Sequence, residues 1–152
     1  MAALRRFAAL ALMLAASTPL SGCFFAWPFG AHLSERECLM RAMYFESNRS
    51  SQEGMFAVGT VVMNRVGAPG YPRSVCGVVG QPNQFAAGVL SRPMTEKRSI
   101  ALVADTADRV LAGARHPGVR NAKHFHQAGL TFPYDNMHYV LEAGGNAFYE
   151  KY

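Results

Sequence analysis

Glu46 closes the run Cys38-Leu-Met-Arg-Ala-Met-Tyr-Phe-Glu46 and stands before a polar break, Ser47-Asn-Arg-Ser-Ser51. A nearly all-apolar stretch, Gln52 to Arg65, follows. A carboxyl held at a helix end against Tyr44, Phe45 and a valine-rich neighbour is partly desolvated, and desolvation raises its pKa toward the range a general acid needs. A glycosidase acid is made this way. Tyr44 is also a candidate for substrate contact and Phe45 serves equally as core packing, so the weight of this reading has to come from the rest of the chain.

The histidines offer a rival chemistry. His124 and His126 alternate on a predicted strand and so face one way, and His138 lies on the next predicted strand with Glu142 beyond it. Three histidines so placed could hold a zinc ion with one open position, the equipment of a hydrolytic zinc enzyme. No helical His-Glu-x-x-His is present, and a structural or sugar-contacting role for His124 and His126 is the better expectation. No metal or other cofactor is therefore expected. Gln84 is a candidate for an N-acetyl group, Phe85 for stacking under a sugar ring, and Asn64 and Tyr149 for hydrogen bonds to glycan or to Glu46.

These residues need helices to hold them. Ser34-Glu-Arg-Glu37 is a capping box ahead of an apolar-periodic stretch and predicts a helix from Ser34 to Glu46. A second box, Ser50-Ser-Gln-Glu53, opens a helix in which Met55, Val58, Val61, Val62 and Arg65 recur at three- and four-residue spacing, a pattern buried on most sides. Gly54 and Gly59 cost helix propensity there, and close approach of another backbone is the reason to keep them. Gly67 to Arg73 is Gly/Pro punctuation and reads as a loop. Ser74 to Val79 is one helical turn or a short strand, and Gln84-Phe85 reads as extended. Thr95 to Ala114 is a third long helix whose Asp105 and Asp108 lie on a solvated face. The remainder alternates like strands at Lys123–His126, Met137–Leu141 and Asn146–Tyr149, the last behind a Gly144-Gly145 turn.

The N-terminus addresses the chain to an envelope. Arg5 and Arg6 precede an apolar run, Phe7 to Ala16, too short to span a bilayer but suited to a secretory signal. Leu20-Ser-Gly-Cys23 behind it resembles a bacterial lipoprotein box, which implies that Cys23 is lipidated and becomes the mature N-terminus. Phe24, where an aspartate would resemble an inner-membrane retention signal, points to the periplasmic face of the outer membrane. Residues 1–22 are thus a signal peptide, 23–33 a lipidated tether, and 34–152 one domain large enough for a single core. With Cys23 spent, Cys38 and Cys76 remain as an even pair in an oxidising space and are expected to bridge. The formal charge of +5 falls to about +3 without the two signal arginines. That mild basicity suits anionic envelope polymers, and no basic, aromatic-interleaved patch suggests nucleic acid.

A family resemblance runs through the chain in order. Cys-Leu-x-Arg-Ala-Met-Tyr-Phe-Glu-Ser at 38–47, Glu-Gly-x-x-Ala-Val at 53–58, Val-Met-Asn-Arg-Val at 62–66, Tyr-Pro-x-Ser-Val-Cys-Gly-Val-Val at 71–79, Gln-Phe at 84–85, Ala-Lys-His-Phe-His at 122–126 and Gly-Asn-x-Phe-Tyr at 145–149 resemble the cell-wall hydrolase family of spore cortex-lytic enzymes. The resemblance implies an α+β, mainly helical, lysozyme-like domain with a small antiparallel sheet. It implies a peptidoglycan substrate cut after N-acetylmuramic acid, with Glu46 as catalytic glutamate. Two departures matter. The family's Tyr-x-Glu-Ala-Arg-Gly-Glu-Pro is here Tyr44-Phe-Glu-Ser-Asn-Arg-Ser-Ser51, so Ser50 replaces the second glutamate. After Phe85, Ala-Ala-Gly-Val replaces the usual Ser-Phe and Asp-Gly.

A lone carboxylate suits a lytic transglycosylase, in which the sugar's own 6-hydroxyl attacks, better than direct hydrolysis, which normally needs two. The alternatives are a hydrolytic muramidase, the zinc amidase on His124, His126 and His138, and a non-catalytic glycan-binding lipoprotein.

Overall fold

The computed structural model describes residues 32–49 and 51–152. The expected signal segment, Cys23 and most of the tether, and Ser50, lie outside the described residues. Four α-helices come first: α1 (Glu35–Glu46), α2 (Gln52–Arg65), the short α3 (Val75–Val79) and α4 (Lys97–Leu111). A single 3₁₀ turn, Pro117–Val119, leads to three strands, β1 (His124–Gln127), β2 (Met137–Ala143) and β3 (Asn146–Lys151). The sheet is antiparallel, in the order β1-β3-β2. This is the mainly helical α+β architecture with a small antiparallel sheet that the sequence leads one to expect.

Local chemistry starts and stops each element. Ser34 caps α1, its Oγ accepting from the Glu37 N–H at 3.1 Å, with Glu35 and Glu37 placed favourably against the helix dipole. The second cap falls one residue later than the box suggests. Ser51 Oγ accepts from the Gly54 N–H at 3.1 Å, which puts Glu53 one position short of the reciprocal contact. Ser74 caps α3 in the same way, resolving the ambiguous 74–79 stretch as helix. The extended reading of Gln84-Phe85 is corrected. The chain turns there, with the Gln84 N–H donating to the Gln81 carbonyl at 3.3 Å and Asn83 in the left-handed region at φ 59°.

Helix α2 is the central element and packs against both α1 and α4. Its Met55, Ala57, Val58, Val61 and Val62 are wholly buried, each valine contributing about 1.5–3 kcal/mol of apolar burial. Leu39 and Met43 of α1, Val103 and Val110 of α4, and Phe148 of β3 complete this core, and Leu33 packs on it from the domain's start. On the exposed side, Asp108 of α4 receives two hydrogen bonds from the Arg36 guanidinium, at 2.6 and 2.9 Å, and so ties α4 to α1.

The Cys38–Cys76 disulfide forms as expected and staples α1 to α3 across a 38-residue separation. In the chain-entropy picture a loop of that size is worth about 3–4 kcal/mol.

The two α2 glycines are explained differently. A β-carbon on Gly54 would collide with the Gly144 backbone, so α2 and the β2–β3 turn touch main chain to main chain. One on Gly59 would meet the Met43 sulfur at 2.7 Å and Val110 Cγ2 at 3.3 Å, both able to yield. Gly54→Ala should therefore destabilise the domain by about 1–3 kcal/mol, with a fall of roughly 5–10 °C in melting temperature. Gly59→Ala should cost much less, because its gain in helix propensity of about 1 kcal/mol offsets the crowding. Thermal melts of both variants check this; equal losses would mean that the Gly54–Gly144 crossing is no tighter than ordinary side-chain packing.

Candidate active site

Glu46 is the last residue of α1, and three other segments converge on it. Ser47 ends the helix by turning its own N–H and Oγ back to the Met43 carbonyl, the latter at 2.7 Å, and adopts extended backbone. The freed Glu46 carbonyl accepts from Asn146 Nδ2 of β3 at 2.6 Å. One residue on, the Asn48 N–H donates to the Gly144 carbonyl at 2.8 Å. The Glu46 carboxylate itself accepts a hydrogen bond through Oε1 from the Ala86 backbone N–H, in the turn after Phe85.

The side chain is half-buried, and burial raises its pKa above the usual carboxylate range. The Ala86 N–H and the positive charge of Arg65 pull the other way without cancelling the effect. Such a group holds its proton at a pH where an exposed glutamate has lost it, and can still be driven to the anion. Other carboxylates of the domain are engaged elsewhere. Glu53 lies 3.6 Å from His116, and Glu96 pairs with Arg49 and accepts from Ser99 Oγ at 3.2 Å.

Arg65, placed by the sequence in the periodic pattern of α2 with no role in the site, is 96% buried and lies within electrostatic reach of Glu46. Its Nε donates to the Lys123 carbonyl at 2.7 Å, and its guanidinium lies over the rings of Phe85, Tyr71 and Phe125 at 5.3, 5.5 and 6.0 Å. Phe85 thus neighbours both the cation and the Phe125 ring, whose centroid is 6.4 Å away. Asn146 and the Ala86 N–H are further functional groups that sequence reasoning missed. Asn146 stands in the Gly-Asn-x-Phe-Tyr motif, whereas a backbone donor carries no residue-type signal.

The other candidates fall into separate groups. Tyr44 is buried in the core, its hydroxyl accepting from the Thr95 and Glu96 N–H groups, both at 3.2 Å, at the start of α4. Asn64 Nδ2 donates to the carbonyls of Arg120 and Ala122 at 2.9 and 3.0 Å and so ties α2 to the approach to β1. Gln84 is exposed. His124 and His126 do share one face of the sheet. His124 stacks on Tyr149 at 5.3 Å, while His126 sits edge-on to Tyr139 at 5.5 Å and Phe132 at 4.7 Å. His126 Nδ1 donates to the Gln127 carbonyl at 2.8 Å, which fixes Nε2 as acceptor for the Tyr139 hydroxyl at 2.8 Å. His138 is directed away, against Tyr152. Among the described residues no group of three or more His, Cys, Asp and Glu is placed to hold a metal ion.

A half-buried carboxyl at a helix end, a caged cation and a small antiparallel sheet characterise this α+β domain. The chain belongs to the Cell Wall Hydrolase family, whose model matches residues 49–149. Glu46 lies three residues ahead of that span. A spore cortex-lytic enzyme of Bacillus subtilis (strain 168) is 35% identical over 60 residues, 40% of this chain but only 20% of that protein. The catalytic domain of the germination-specific lytic transglycosylase SleB from Bacillus anthracis shares the fold with a TM-score of 0.59 at 24% identity, covering 81% of this chain and 99% of that one. The catalytic domain of Bacillus cereus SleB gives 0.57 at 22% identity, covering 79% and 94%.

Because the folded protein holds the Glu46 proton more tightly than the unfolded chain, this carboxyl contributes fully to stability below its unfolded value. That contribution is lost as pH rises through the folded value. Glu46→Gln, neutral throughout, should melt higher than wild type at about pH 8, with the difference shrinking toward zero near about pH 4. Melting curves across that range test it. A variant that melts lower at the alkaline end would show that the ionised carboxylate is already fully compensated.

Proposed function

We propose that this protein cleaves the glycan strand of peptidoglycan after N-acetylmuramic acid as a lytic transglycosylase, with Glu46 as its single general acid and base. The observation that carries the reading is a half-buried carboxyl that, among the described residues, is held by one backbone N–H and has no second carboxylate acting on it. Protonated Glu46 gives its proton to the glycosidic oxygen as the bond to the anomeric carbon breaks. The resulting carboxylate takes the proton of the muramyl 6-hydroxyl as that oxygen bonds to the same carbon, leaving a 1,6-anhydro end and restoring the acid. A direct hydrolase would need a second carboxylate for water or for a covalent intermediate. The names of the SleB domains and of the cortex-lytic relative support this choice of substrate and reaction.

Digestion of purified sacculi with the domain, followed by product masses, tests it. Anhydro-muropeptides are expected; reducing ends would make it a muramidase and freed peptides an amidase. Glu46→Gln preserves shape and removes both proton transfers, so turnover should fall by about 10²–10⁴-fold with folding intact. Glu53→Gln, the control, should leave chemistry near normal. Near-wild-type cleavage by Glu46→Gln would mean that another group supplies the proton.

We also propose that Cys23 carries a lipid and holds the domain at the periplasmic face of the outer membrane. The support is the arginine-led apolar segment and the Leu20-Ser-Gly-Cys23 box behind it. Metabolic labelling with a fatty acid should mark the wild type and not Cys23→Ser. Label persisting in the variant would place the lipid elsewhere.

A further inference from the structure

Arg65 is an expensive residue to keep. A cation 96% buried ordinarily requires an ionic partner in contact and a hydrogen bond for every N–H. Arg65 has one hydrogen bond, Nε to the Lys123 carbonyl, and no carboxylate within salt-bridge distance among the described residues. Its Nη1 is buried without a partner. Aromatic faces at 5.3–6.0 Å offset part of that cost through cation–π attraction. They do not recover it all, since a methionine of similar reach would fill the same cage without desolvating a charge.

What the charge does is indicated by what it touches. One ring of the cage belongs to Phe85, and the next residue, Ala86, supplies the N–H that holds Glu46 Oε1. The groups facing Arg65 are Tyr71, Tyr149, His124, the Lys123 carbonyl and Glu46. Burial and the adjacent cations hold His124 below its usual range, and burial holds the Tyr149 phenol above its own, so both are neutral near pH 7. Among the described residues Glu46 is the one carboxylate that Arg65 faces, and Arg65 is the one charge acting on Glu46.

We propose that Arg65 is the positioning residue of the site: it pins the Phe85–Ala86 turn against Glu46 and supplies the fixed positive charge that stabilises the Glu46 carboxylate formed when the proton is delivered. The second half of this role rests on the acid–base reading of Glu46 given above. Burial alone would make Glu46 a good acid that is slow to part with its proton. A cation held behind it, within electrostatic reach but not in contact, favours the anion without forming the tight ion pair that would abolish the acid. The orphaned Nη1 is the cost of keeping that separation.

The test is a titration of Glu46 in the intact domain by ¹³C NMR with glutamate labelled at the carboxyl carbon, its signal assigned by loss in Glu46→Gln. Arg65→Met should raise the Glu46 midpoint by about one pH unit or more, a tenfold change in proton affinity. Arg65→Lys, which retains the charge, should move it by less than half as much. The alkaline limb of the pH profile for sacculus cleavage should shift upward with the midpoint, a change that loosened packing alone would not produce. If Arg65→Met does not fold, Arg65→Gln replaces it with the same expectation, and unfolding of both neutral variants would reduce Arg65 to a structural pin and overturn the proposal. A folded neutral variant with an unmoved midpoint would overturn it equally. The titration needs no substrate, so absence of anhydro products would count against the transglycosylase and leave the coupling of Arg65 to Glu46 independently judged.

Discussion

The structure turns on how the C-terminus of α1 is held. A helix end exposes carbonyls that must find donors, and here the last one, on Glu46, is satisfied from 100 residues away by Asn146 at 2.6 Å. The Asn48 N–H to Gly144 carbonyl bond and the main-chain contact of Gly54 with Gly144 lie beside it. One short stretch thus binds α1, α2 and the β2–β3 turn together. The sheet is small and its outer face is solvated, so its contribution to stability is modest. Its contribution to the site is larger, because without Asn146 the backbone of the acid would be free to fray with the helix end.

Two costs are accepted to build this site. Among the described residues, Glu46 is partly withdrawn from water with one hydrogen bond to its carboxylate, and Arg65 is almost wholly withdrawn with an N–H left unpaired. Each would be removed by a design that sought stability alone. The compensation lies elsewhere, in the buried valines of α2 and in the disulfide that joins α1 to α3. The staple also constrains the N-terminal half of α1, the opposite end from Glu46. The acid therefore sits on a helix fixed at both ends, and the cost of its burial is spread over the domain.

How much of this is legible in the sequence depends on the range of the interaction. The long helices follow from capping serines and apolar periodicity, both readable within a few residues; Ser34 and its helix fall where expected, and the second cap is displaced by one because Ser50 and Ser51 offer equivalent hydroxyls. The Cys38–Cys76 bridge follows from counting. Gly54 announces a close approach but not its partner. The errors occur where a tertiary contact overrides local pattern. Gln84-Phe85 looks extended beside Pro82, yet the turn there is set by the need to bring Phe85 under Arg65 and Ala86 to Glu46. The polar character of Tyr44 and Asn64 suggests ligand contact, and the structure spends their polar atoms on backbone ties. Arg65 shows the same limit most plainly, since its place in the α2 periodicity announces neither the ring cage nor Glu46.

The arrangement around Glu46 also accounts for how one carboxyl could serve where two are usual. In the proposed reaction Glu46 gives a proton and then reclaims one within a single turnover, and such a group cannot be held firmly in either state. Desolvation favours the acid, while the Ala86 N–H and the Arg65 charge favour the base. On the proposed mechanism, opposing influences built into backbone and a caged side chain would spare each transfer the reorganisation that water imposes. A carboxyl balanced in this way needs no second one beside it, and the serine at position 50, where relatives of this motif carry another glutamate, is consistent with that economy.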